Sequence, residues 1–171
     1  MSLTDSFKRN FLKKKIKPAD RRSEIILKKP AAYSRILILM QKQDEELIRH
    51  ISSVFSNAEI NVCSLRDEKE DQSGKFKYTV HPSDFNLTGT IKNDKLTKLQ
   101  SIQFDLTIDL STDSDLLKYF LCTTKSSLII GSMANLDSGL YDLFLDEGQD
   151  NKQFIDTIEK QLNQLQQYAN K

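Results

Sequence analysis

The chain has no tryptophan, and only five glycines, three prolines and two cysteines among its 171 residues. So little glycine and proline excludes a collagen-like chain, and two cysteines exclude a disulfide-dense secreted scaffold. Cys63 and Cys122 are far apart, form no CxxC and sit in apolar stretches. Each reads as a small core side chain rather than a metal ligand or redox group. No apolar run approaches the ~18 residues of a membrane-spanning helix. In the opening MSLTDSFKRNFLKKKIK, lysine or arginine interrupts every short apolar stretch. The apolar segment of a secretory signal is missing, so a cytoplasmic protein without an integral membrane segment is expected.

What the chain does have is a core and a lopsided charge. Leu, Ile, Val and Phe supply 49 residues, above the roughly one-fifth of a chain below which disorder is the rule. Net charge is +1, but residues 1–35 hold eleven Lys/Arg against three Asp/Glu, and residues 36–171 hold fourteen against twenty-one. A basic arm on an acidic body points to a polyanionic partner for the arm. The body itself would repel phosphates.

In the arm, Leu3, Phe7 and Phe11 share one helical face, with lysines and arginines around it. Thr4 or Ser6 is placed to cap such a helix, and Pro18 ends or restarts it. A second helical piece is expected over 19–29, and Pro30 closes the arm. Lys8, Arg9, Lys13, Lys14, Lys15, Lys17, Arg21 and Arg22 are the candidate polyanion contacts, because clustered cations release counterions from phosphates. Three uses of the arm are open. It docks on RNA or the ribosome surface, with Phe7 and Phe11 stacking on bases. It inserts those rings into an anionic membrane interface. Or it is a solvated tail that neutralises the acidic body in cis.

From Arg35 onward, strand and helix patterns alternate. RILILM (35–40) is continuously apolar after its arginine, the mark of a strand buried on both faces. Residues 44–56 carry a helical stripe, with Asp44, Glu45 and Glu46 in the first turn. Strands are expected at 59–65, 76–80 (an edge strand), 104–110, 127–130 and 141–146, and helices at 94–101, 113–121 and 150–168. The stretch 81–90 is irregular, either lining a pocket or packing Phe85 and Leu87 into the core. Strands alternating with helices imply βαβ units, right-handed crossovers and a mostly parallel sheet. The expected architecture is a three-layer α/β/α Rossmann-like domain over 34–171, preceded by a basic, partly helical arm over 1–33.

Ligands of such folds sit beyond the carboxyl ends of the strands, where strand order switches. The first such loop, Met40–Glu46, has no glycine and ends in three carboxylates. It lacks the GxGxxG that lets a pyrophosphate approach a helix N-terminus, and no GxxxxGK[ST] occurs. No cofactor is therefore expected. Asp109, Asp113, Asp115, Asp142, Asp146, Glu147 and Asp150 flank later strand ends. Asp113, Asp115 and Asp150 fall in helix first turns, so the acids read as helix capping more readily than as a Mg²⁺ site, and no metal is expected. The two histidines, His50 and His81, have no GxSxG serine beside them. The inventory for catalysis is thin, and no catalytic residue is assigned. A small-molecule pocket, if present, would draw on Asn86, Gly89, Asp109, Ser111 and Asp113.

FLKKKIK, RILILM, SDFNLTGTIKN, FDLTIDLS, KSSLIIGS and LYDLFLD, followed by an amphipathic C-terminal helix, together resemble an uncharacterised family of small bacterial proteins with a Rossmann-like domain. That resemblance implies the fold and carries no activity. RILIL and the FDLTIDLS…LIIG pair are also similar, more weakly, to the N-terminal half of heptosyltransferase-type glycosyltransferases. This second likeness implies a relic sugar-acceptor pocket near Ser111 to Asp115. The leading expectation is a non-enzymatic binding or adaptor protein whose arm docks on RNA, the ribosome or another polyanion. The acceptor-binding remnant and the peripheral membrane adaptor are the alternatives.

Overall fold

The structure, a computed structural model, describes residues 10–16, 25, 27–66, 77–111, 114–133, 139–146, 148 and 150–169. Its frame is a six-stranded sheet in the order β3-β2-β1-β5-β7-β8, every neighbouring pair parallel. β1 (Arg35–Met40) lies inside it, between β2 (Glu59–Leu65) and β5 (Leu106–Asp109). The unbroken apolar run of β1 is explained by its two faces. Ile36, Ile38 and Met40 enter one core cluster, and Leu37 and Leu39 enter the other. Each such buried side chain stabilises the fold by about 1.5–3 kcal/mol.

Helices cover both faces, as the strand–helix alternation requires. On one face α2 (Glu45–Val54) and α5 (Asn151–Ala169) bring Leu47, Ile51, Phe154, Ile155 and Ile158 onto the sheet. On the other, α3 (Asp94–Ser101) and α4 (Asp115–Thr123) bring Leu96, Leu99, Leu116, Leu117 and Phe120. The layers are α/β/α, and the fold class read from the sequence holds. Short polar side chains start α2 to α5. Asp44 accepts from Glu46 N and Leu47 N, Asn93 from Lys95 N, Ser114 from Leu117 N, and Asp150 from Gln153 N. These acceptors satisfy amides that have no partner within the helix.

Several expected elements are shorter or interrupted. The 104–110 strand divides into β4 (Gln103–Phe104) and β5, and its neighbour into β6 (Lys125–Ser126) and β7 (Ile129–Ser132). β4 and β6 pair only with each other. Asp105 causes the break: its carboxylate accepts from Ser34 N at 2.8 Å, Arg35 N at 3.1 Å and Lys28 Nζ at 2.9 Å. It is thereby drawn to the amino end of β1. β3 covers Tyr78–Val80 and β8 Leu143–Leu145, the two edges of the sheet. Residues 27–29 are not helical, because Lys28 is stretched toward Asp105; the rest of the expected 19–29 helix lies almost wholly outside the described residues. Between β3 and α3, Phe85 is fully buried whereas Leu87 is 63% exposed. Of the two side chains considered for the core there, one enters it.

The described residues of α1, 10–14, lie against the α3/α4 face. Leu12 is 1% exposed within that core cluster, and Ile16 packs on its margin.

Candidate functional site

Strand order switches between β1 and β5, so the crevice of interest lies between the carboxyl ends of Met40 and Asp109. Alternation within LTID turns Asp109 into the protein, where it is 1% exposed. Its Oδ1 accepts from Ser111 N at 2.8 Å and Ser111 Oγ at 2.5 Å, and its Oδ2 accepts from Tyr141 Oη at 2.5 Å. Burial pushes the Asp109 carboxyl above its usual range; the Ser111 and Tyr141 hydrogen bonds and the Lys118 charge counter this in part. Burial and the neighbouring Asp109 carboxylate push the Tyr141 hydroxyl far up, so it stays protonated as a donor. Gly131 makes the cluster possible, since a Cβ there would overlap the Tyr141 ring. The arrangement ties the segment before β8 to the end of β5. With both carboxylate oxygens engaged inside the protein, it is a structural knot rather than an exposed base.

The residues grouped as one pocket divide between two places. Asp109 and Ser111 meet in the knot, and Asp113 lies outside the described residues. Asn86 and Gly89 build a separate loop. Asn86 Oδ1 accepts from Thr88 N, Thr88 Oγ1 and Thr90 N, which uses its carboxamide oxygen on the loop's own turn. Gly89 has φ +87°, and a Cβ there would overlap the Tyr119 hydroxyl and lie 3.4 Å from Leu12 Cδ2. Tyr119 Oη donates to Gly89 O at 3.0 Å. The loop is a seat on which α4 and α1 meet. Tyr141, Gly131 and Leu12 were missed in the sequence; the glycine inside the LIIGS strand was the available signal for a close approach.

A groove of about 310 Å³ runs along the β2 edge, lined by Gln43, Glu59, Ile60, Asn61, Val62, Lys77 and Tyr78. None of the described pocket candidates borders it. His50 Nε2 lies 2.8 Å from Asp156 Oδ1, joining α2 to α5, and His81 Nδ1 accepts from Ser83 N. Both histidines are used structurally. Cys63 is fully buried, and burial followed by the Asp84 charge raises its thiol far above the usual range, leaving it an unreactive core group. Among the described residues no group of three or more His, Cys, Asp or Glu is placed to hold a metal, and no helix is long and apolar enough to cross a membrane.

Of the eight candidate polyanion contacts, Lys13, Lys14 and Lys15 are described and all three are exposed; Lys8, Arg9, Lys17, Arg21 and Arg22 lie outside the described residues. Lys13 Nζ lies 3.3 Å from Asp115 Oδ2, at the start of α4. Lys15 Nζ donates to Thr88 O at 2.5 Å and lies 4.8 Å from the centre of the Phe11 ring. Leu12 is the anchor beneath them.

The sequence from residue 5 to residue 165 matches the model of a family of unknown function, DUF6913. The chain belongs to that family. The match takes in most of the basic arm as well as the α/β domain. No curated protein and no solved structure matches the chain. DUF6913 membership agrees with the resemblance to an uncharacterised family and brings no activity with it.

Proposed function

We propose that the protein is a non-enzymatic polyanion-binding module whose arm docks on RNA. The observation that supports this most is the seating of α1. Leu12 is sunk into the core and Ile16 packs on its margin, which leaves consecutive Lys13, Lys14 and Lys15 on a fixed turn at the surface. A fixed cationic turn keeps its charges together without a fresh ordering cost, and such charges give affinity that is sequence-independent and salt-dependent. The same seating disfavours the membrane reading, since the apolar side of the turn faces protein and the half-buried Phe11 lies beside Lys15.

The test is titration of the full chain with a single-stranded oligouridylate over a range of salt. If about half of the eight basic residues touch phosphate, the log–log slope is near −3, from ~0.7 per contact. Lys13→Glu, Lys14→Glu and Lys15→Glu together nearly abolish binding. An unchanged affinity in that variant removes the arm from the function. Stronger capture by anionic liposomes than by RNA returns the membrane adaptor as the better reading.

A further inference from the structure

The domain offers the arm acceptors of its own. Asp115 at the start of α4 holds Lys13, and the Thr88 carbonyl holds Lys15. Two lysines of a consecutive three are thus bound in cis, by two separate elements, directly after the buried Leu12 anchor. The Lys13 and Asp115 side chains are 65% and 40% exposed, so their pair is open to competition from solution. Pairs of this exposure contribute about 0.2–1 kcal/mol and are screened by salt. The charge division between arm and body favours the same contact over a longer range.

We infer that Asp115 is an intramolecular competitor: its carboxylate occupies the Lys13 ammonium as a phosphate would, and a polyanion gains Lys13 by displacing it. The inference rests on the polyanion reading above and adds a regulatory element to that surface. Two consequences follow from the geometry. Wild-type affinity is set below what the arm's cations could give. Any change that neutralises residue 115 raises it, whereas the Leu12 seat that positions the turn is untouched.

The experiment compares the wild type, Asp115→Asn, Lys13→Gln, the double variant and Asp156→Asn, each as the full chain binding a 20-nucleotide oligouridylate and long-chain polyphosphate. Asp156 lies on α5, over the opposite face of the sheet, where it meets His50 and not the arm, so its neutralisation changes net charge without freeing Lys13. Asp115→Asn should bind about two- to five-fold more tightly, the range an exposed pair allows. Its salt slope should steepen by ~0.7, one further phosphate contact. The gain should vanish in the Lys13→Gln background and be absent in Asp156→Asn. If Asp115→Asn tightens binding equally with Lys13 gone, or if Asp156→Asn matches it, the competition is refuted and bulk charge explains the effect. If the wild type binds with a steep salt slope but Asp115→Asn changes nothing, the competition falls and the polyanion reading stands. If neither the wild type nor Asp115→Asn binds either probe at low salt, both fall. Circular dichroism and melting of each variant confirm that the comparison is between folded chains.

Discussion

Tyr141 donates its hydroxyl to Asp109 across 2.5 Å, joining residues 32 positions apart where β5 ends. The bond closes the end of the sheet at which Rossmann-like proteins usually keep a ligand. Burial places the native Asp109 carboxyl above its usual range. A raised native value contributes stability that is full below the unfolded carboxylate range near 4 and is lost as pH rises through the native value. Tyr141→Phe removes a donor to the charged form and moves that value further up. Its cost should therefore grow with pH, from about 1 kcal/mol at pH 3 to about 2–3 kcal/mol at pH 7. Urea unfolding at the two pH values reads this directly. A cost independent of pH would mean that the hydroxyl serves both protonation states alike.

Asp105 should show the opposite pH dependence. Burial pushes its carboxyl up, but the Lys28 hydrogen bond and the Ser34 and Arg35 amides outweigh burial and hold it below the usual range. A lowered native value stabilises above the unfolded range near 4, and the stabilisation is lost as pH falls through the native value. Asp105→Asn should cost about 1–2 kcal/mol near neutral pH and almost nothing at pH 2. Equal losses at both ends of the titration would assign the effect to packing instead of charge.

Gly89 carries a steric prediction. An alanine there adopts an unfavourable φ and meets the Tyr119 hydroxyl, so Gly89→Ala should destabilise by about 1–3 kcal/mol. Tyr119→Phe loses one hydrogen bond, about 1 kcal/mol, but makes room for the new methyl. The double variant should cost less than the two single changes combined. Strict additivity in thermal unfolding would show that the ring hydroxyl is not what excludes a side chain.

Removal of residues 1–29 should leave a chain that still melts cooperatively. All the strands and α2–α5 lie beyond the cut, and Leu12 is the fully buried core residue lost among those described. Its loss, with that of the Lys28–Asp105 pair, should lower Tm by roughly 10 °C, from 3–5 kcal/mol at about 2–4 °C per kcal/mol. Leu12→Ala alone should produce most of that drop. A truncated chain without a transition would make residues 1–29 part of the folding unit and move the domain boundary from residue 34 into the arm.

The fold was legible because its strongest signals are local. Five apolar residues in a row at 36–40 can be buried on both faces only inside a sheet, and Asp44 and Asp150 announce their helices from within one turn. The candidate site was legible only in part, because its pairings are distant. FDLTIDL shows that Asp109 needs a donor, yet nothing nearby names Tyr141. The apolar stripe of the arm runs through Leu3, Phe7 and Phe11, and nothing in it shows that Leu12, on another side of the helix, is the residue that enters the core beside the Gly89 loop. Asp105 sits in a run that reads as continuous strand, and the donors that break it come from Lys28, Ser34 and Arg35, more than 65 residues earlier.

The inner position of β1 has a consequence during synthesis. Ile36 pairs with Ile60 on one side and with Leu106 on the other, so the second partner is translated 70 residues later. At about 5–20 residues per second, the most apolar strand of the protein waits roughly 4–14 s for that neighbour. An apolar β segment left open for so long is an aggregation hazard unless charges flank it. Arg35 opens this one and Lys28 and Lys29 lie within seven residues before it, and a ribosome-bound nascent chain would carry them beside it throughout the wait. Exchanging Lys28 and Lys29 for glutamine would then lower the yield of folded chain more than the melting temperature of what does fold.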